Sequence, residues 1–61
     1  MKLIGLKQKR KALKLTQSQA AERLGVSVRN YRAYEEGASR PPIEFLERAE
    51  DLFDCKIKDL R

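Results

Sequence analysis

Histidine and tryptophan are absent from this 61-residue chain, and cysteine occurs once, as Cys55. A single cysteine cannot form an internal disulfide, and without histidine a Cys/His zinc site is excluded. No apolar run approaches the roughly 20 residues needed to cross a bilayer. The stretch Met1 to Gly5 lacks the long apolar core and small-residue cleavage site of a secretory signal. A lone cysteine without an export signal leads us to expect the cytoplasm and no membrane association. Strand signals are missing too, since no segment alternates apolar and polar residues with β-branched enrichment. The chain is therefore read as one helical domain, residues 1–61, near the lower size limit for a core without staples. No cofactor, metal or small-molecule ligand is expected.

What is present is charge, unevenly placed. The net charge is +5. Residues 1–21 carry Lys2, Lys7, Lys9, Arg10, Lys11 and Lys14 and no acid, while residues 41–61 are net acidic. A chain polarised in this way can turn a positive face to a polyanion and an acidic back to solvent. Composition alone leaves the alternative open that lysine-rich helices are simply well solvated.

Helical signals recur along the chain. Leu6 and Leu13 lie seven residues apart, which places them on one face of a first helix from about Leu3 to Lys14. Thr16-Gln17-Ser18-Gln19 has the form of a capping box and predicts a second helix beginning at Gln17. Ala20, Ala21 and Leu24 would form its core face. Gly25 reads as a helix stop, Ser27 as the N-cap of a third helix, and Gly37 as that helix's stop. Pro41 and Pro42 predict a fourth helix from about Pro42 to Phe53, with Ile43, Leu46, Ala49, Leu52 and Phe53 inward. Asp54 ends it, and Cys55, Ile57 and Leu60 complete a last short helix.

Helix 2, the tight turn and helix 3 form the informative constellation. Two helices can cross steeply only if the residues at their contact are small, and Ala21 meets that need. Gly25 lets the chain reverse within a few residues. Val26, Tyr31 and Tyr34 would fill the wedge. From Gln17 to Glu36 each of these positions carries a suitable residue, and the joint pattern says far more than one glycine would.

Helix 3 presents a second regularity. At about 100° per residue, Tyr31 and Tyr34 share one face while Arg29, Arg32 and Ala33 point the other way, with Val28 flanking them. Arginine can donate two bonds to guanine O6 and N7, and small apolar side chains such as Val28 and Ala33 can touch thymine methyls. The competing reading is an ordinary solvated arginine face paired with Glu35 and Glu36.

The sequence resembles the Cro/cI-like helix-turn-helix repressors, the XRE family. The resemblance rests on Leu15-Thr16-Gln17, on Ala21-Glu22-Arg23-Leu24-Gly25-Val26-Ser27, on Tyr34-Glu35-Glu36-Gly37, on a proline before helix 4 and on the apolar pair Ile57 and Leu60. It implies an all-α, compact five-helix, lambda-repressor-like DNA-binding domain with the helix-turn-helix formed by helices 2 and 3. The sequence departs from the family at Ala20, where a larger aliphatic residue is usual, and at Lys9, where an apolar one is. Tyr31 and Tyr34 are bulkier than the usual isoleucine and are expected to fill the space left by Ala20.

The resemblance also assigns roles. Gln17 matches a glutamine that binds backbone phosphate and can brace a base-contacting residue. The free N–H groups at a helix start suit the same task. Ser27 and Asn30, at the start of helix 3, and Arg40, in the following loop, are further phosphate candidates. Arg10 and Glu35 match an internal ion pair, so Arg10 is expected to be structural, leaving Lys7, Lys9, Lys11 and Lys14 to supply general field. Cys55 takes an apolar position. The expected function is a sequence-specific DNA-binding regulator. It is read as a repressor on a two-fold symmetric operator of double-stranded DNA, acting as a homodimer at least on DNA, with Ile57 and Leu60 as dimer candidates. The alternative is an antitoxin or anti-repressor whose main task is to bind a protein. No extra segment for such a partner is expected after helix 5. An enzyme is not expected: the acids Glu44, Glu47, Glu50, Asp51, Asp54 and Asp59 read as solvated surface.

Overall fold

The computed structural model describes residues 2–61; Met1 lies outside the described residues. Four α-helices follow in order: α1 Ile4–Ala12, α2 Gln17–Leu24, α3 Val28–Glu36 and α4 Ile43–Phe53. The fifth element is a single 3-10 turn, Ile57–Leu60, so the expected five-helix count reduces to four α-helices and that turn. No strand occurs among the described residues.

Each end is set by local chemistry. The Thr16 hydroxyl accepts from the Gln19 N–H at 3.1 Å, and the Gln19 side chain accepts from the Thr16 N–H at 2.9 Å. That reciprocal pair satisfies donors that the first turn of α2 leaves free. Gly25 closes α2 in the left-handed conformation, φ 72°, with the Val26 N–H donating back to the Ala21 carbonyl at 3.0 Å. Gly37 repeats the device after α3, with Ala38 N–H donating to the Ala33 carbonyl at 2.9 Å.

α1 is shorter than the sequence pattern suggests. It begins at Ile4, not Leu3, and stops at Ala12, because Lys14 takes a left-handed φ of 58° that turns the chain towards α2. Leu13 then leaves the core face and is 50% exposed, while Leu6 is fully buried.

The core joins Leu3, Leu6, Ala20, Ala21, Leu24, Tyr31, Phe45, Ala49, Phe53 and Leu60. Phe45 corrects the expected α4 face. Phe45, Ala49 and Phe53 recur every four residues and are buried. Ile43, about 200° around the helix from Phe45, is 57% exposed. Leu46 and Leu52 pack at the edge. Tyr31 is wholly buried, and its ring centre lies 6.1 Å from that of Phe45. Tyr34 meets Phe45 edge-on at 4.8 Å, within the range aromatic pairs favour.

The C-terminal turn locks onto α1. Gly5 N–H donates to the Arg61 carbonyl at 3.1 Å, and the backbone of Asp59 and Leu60 occupies the space where a Cβ of Gly5 would stand. Leu60 is fully buried by this docking. It closes the core, which removes it as a candidate dimer residue. Ile57 is half-buried, and Cys55 is half-buried against the core with its thiol pKa raised by burial.

Candidate nucleic-acid interface

The interface begins with the corner between α2 and α3. Gly25, Val26 and Ser27 are non-helical, and Ser27 is extended at φ −70°, ψ 153°. Ala20, Ala21 and Leu24 are buried beneath the corner, so α3 can lie close to α2 with one face turned out. Arg48, from α4, donates to the Leu24 carbonyl at 3.2 Å, tying the C-terminal end of α2 to the body. The sequence reading missed Arg48, since a lone arginine on a helix otherwise rich in acids gives no sign of a partner 24 residues away.

The outward face of α3 carries Val28, Arg29, Arg32 and Ala33. Val28 is 39% exposed. Arg29 and Arg32 are exposed, and Ala33 is half-buried. Arg29 makes no hydrogen bond or ion pair among the described residues. Arg32 Nε donates to Gln17 Oε1 at 3.3 Å.

The proposed phosphate-binding residues sit around this face. Gln17, half-buried, opens α2. Ser27 Oγ accepts from the Asn30 N–H at 3.1 Å, capping α3 and leaving its own hydroxyl proton free to donate outward. The Asn30 side chain and Arg40 are both exposed.

Behind the face lies a buried charge pair. Arg10 Nε donates to Glu35 Oε2 at 3.1 Å and Nη2 to Glu35 Oε1 at 3.2 Å, a bidentate geometry. Arg10 Nη1 also donates to the Leu15 carbonyl at 2.8 Å, holding the α1–α2 turn. Burial pushes the Glu35 carboxyl up, but hydrogen bonds and charge attraction from Arg10 outweigh it, and the pKa ends below the usual carboxylate value. Hydrogen bonding to Glu35 raises that of Arg10. The buried Tyr31 hydroxyl lies near this pair without closing a hydrogen bond among the described residues, and its burial raises its pKa. Glu35 Oε1 accepts a further bond, from Gln17 Nε2 at 3.3 Å.

Lys2, Lys7, Lys11 and Gln17 line a shallow groove between α1 and the end of α3, with Glu36 also on its wall. Lys2, which the sequence counted only towards the basic N-terminal third, shares this groove with Lys7 and Lys11. No group of cysteine, aspartate and glutamate among the described residues is arranged to hold a metal ion. No helix among them is long and apolar enough to cross a membrane.

Comparison with known proteins agrees with this geometry. A family model described as helix-turn-helix matches residues 6–60. The chain is 36% identical over 55 residues to the cryptic phage CTXphi transcriptional repressor RstR of Vibrio cholerae serotype O1, covering 90% of this chain and 49% of that protein. It is 38% identical over 52 residues to the uncharacterized HTH-type transcriptional regulator YobD of Bacillus subtilis strain 168, covering 85% of this chain and 46% of that one. The chain thus spans about half the length of the curated relatives it matches. No solved structure matches.

Proposed function

This chain belongs to the helix-turn-helix family of the Cro/cI-like, XRE type, and from that premise we propose that it is a DNA-binding transcriptional regulator acting as a repressor. The supporting observation is the exposed arginine face of α3, set off from the body by the Gly25–Ser27 corner. In the proposed complex α3 enters the major groove. Arg29 and Arg32 meet guanine edges, and Val28 and Ala33 meet thymine methyls. Gln17, Ser27, Asn30 and Arg40 hold backbone phosphates and fix the register. The resemblance of the chain to a phage repressor favours repression over activation. Two copies on a two-fold operator, with half-sites about 10 base pairs apart, suit a reading element only nine residues long.

The role is that of a non-enzymatic DNA-binding module, as family membership indicates. We infer that it acts in the cytoplasm, together with the DNA it binds. The lysines of α1 add a diffuse attraction to DNA that salt screens.

The test is selection of preferred DNA from a random pool, followed by affinity measurements over a range of salt. A specific, two-fold symmetric site with a steep salt slope supports the proposal. Weak binding that ignores sequence contradicts it and favours a protein-partner role of the antitoxin or anti-repressor kind.

A further inference from the structure

Two exposed helix faces lie outside the arginine face of α3, and they complement each other. On α1, Ile4, Lys7 and Lys11 fall within about 60° of one another, on the side away from buried Gly5 and Leu6. Ile4 is 58% exposed, and both lysines are exposed. On α4, Ile43, Glu47 and Asp51 fall within about 80°, on the side away from buried Phe45 and Ala49. Ile43 is 57% exposed, and both acids are exposed. Each face has the same plan: a large apolar side chain in the first turn, then two like charges in the turns that follow. The signs are opposite. Within one copy the faces do not meet, since among the described residues no lysine of α1 pairs with an acid of α4.

The heights match as well. At about 1.5 Å per residue, Lys7 and Lys11 stand about 4.5 and 10.5 Å beyond Ile4, while Glu47 and Asp51 stand about 6 and 12 Å beyond Ile43. Laid parallel, α1 of one copy and α4 of another bring isoleucine to isoleucine and each lysine level with an acid to within about 1.5 Å. Laying either face on its own kind brings like charges together, which opposes association. Both faces also border the DNA-facing surface. Lys7 and Lys11 share their groove with Gln17, and Ile43 follows Arg40 by three residues. A second copy on the same DNA would stand at such a border. Towards DNA the α1 lysines act by field alone, which leaves their ammonium groups free for a protein partner.

We propose that α1 of one copy docks on α4 of a neighbouring copy, Ile4 against Ile43 with Lys7–Glu47 and Lys11–Asp51 pairs, so that copies occupy DNA cooperatively. Faces of helices nine and eleven residues long fall short of the roughly 1,200 Å² that a stable interface buries. The contact therefore forms where DNA holds two copies together and their effective concentration is high. The inference rests on the DNA-binding proposal above and names the surface through which copies meet.

The experiment takes the sequence read by one copy from the DNA selected in the random pool and presents it once, or twice at a series of spacings in both relative orientations. Cooperativity is the affinity for the second site when the first is filled, divided by the affinity for a single site. It is measured for the parent chain, Lys7→Glu/Lys11→Glu, Glu47→Lys/Asp51→Lys and the fourfold combination. The fourfold chain keeps the net charge of +5 and restores opposite signs across the contact. Dividing by single-site affinity removes the general loss of DNA attraction that the lysine changes bring, and thermal unfolding verifies that each variant is folded. The expected parent value is roughly ten-fold at one arrangement of sites. It falls to about one in each twofold variant and returns in the fourfold chain. No cooperativity in the parent at any arrangement, cooperativity that survives a twofold variant, or none regained in a folded fourfold chain overturns the inference while leaving single-site reading intact. If the parent selects no sequence at all, DNA reading fails and the inference falls with it.

Discussion

Arg10 and Glu35 lie 25 residues apart in sequence and meet as a buried two-bond ion pair, with Nε to Oε2 at 3.1 Å. The pair joins the last turn of α1 to the last turn of α3 and so fixes how the outward helix is seated on the body. Taking two charges out of water is costly, and much of that cost is recovered only while both partners remain.

Glu35→Gln should therefore destabilise the chain by about 3 kcal/mol at neutral pH, since it leaves a buried guanidinium without its counter-charge. The pH dependence has a definite sign. The folded-state pKa of Glu35 is depressed, so its stabilisation is complete above the unfolded value of about 4.3 and is lost as pH falls through the lower folded value. Denaturant titrations at pH 7, 5 and 3 should show the gap between parent and variant narrowing towards acid. A constant gap would mean that the carboxylate charge is not what the variant removes.

Gly5→Ala sets two effects against each other. Alanine is favoured over glycine by up to about 1 kcal/mol in a helix interior, and by less at Gly5, the second residue of α1. Here the new methyl would overlap the Asp59 carbonyl and come within 2.8 Å of the Leu60 carbonyl carbon, both backbone atoms that cannot swing aside. The clash should win, with a net loss of about 1–3 kcal/mol and detachment of the C-terminal turn. Urea unfolding measures the loss, and faster amide exchange at Leu60 would report the detachment.

Arg48→Ala should remove the bond to the Leu24 carbonyl and cost about 1–2 kcal/mol, without changing which DNA is bound. Thermal unfolding and a binding profile on a sequence panel verify both parts. A changed profile would mean that α4 sets the angle of α3, a larger role than helix capping.

The parts of the fold that local chemistry decides were legible in the sequence. The Thr16–Gln19 box, the Ser27 cap and the Gly25 and Gly37 stops are each settled within a few residues, and α2 and α3 lie where those signals put them. The expectations that needed revision depended on distant packing. Leu13 looks like a core residue until the Lys14 turn cuts α1 short. Ile43 looks inward until Phe45 is seen to meet Tyr31 and Tyr34. Leu60 suits a partner surface equally well until it docks on α1 beside Gly5. At the interface, the outward set Val28, Arg29 and Arg32 followed from helical period. The resemblance implied that Gln17 can brace a base-contacting residue; that it bonds Arg32 and Glu35 did not follow, because three side chains from two helices must fold together before those bonds exist.

The central claim is that the α3 arginines read bases while the α1 lysines supply only field. Its most direct test compares DNA selected from a random pool by the parent chain, Arg29→Ala, Arg32→Ala and Lys11→Ala. The account predicts that each arginine variant changes the selected sequence, at a cost of about 1–3 kcal/mol at the affected base, whereas Lys11→Ala keeps the sequence and lowers affinity for all DNA, with a salt slope shallower by about one. If the three variants shift selection and affinity in the same way, the division of labour is contradicted.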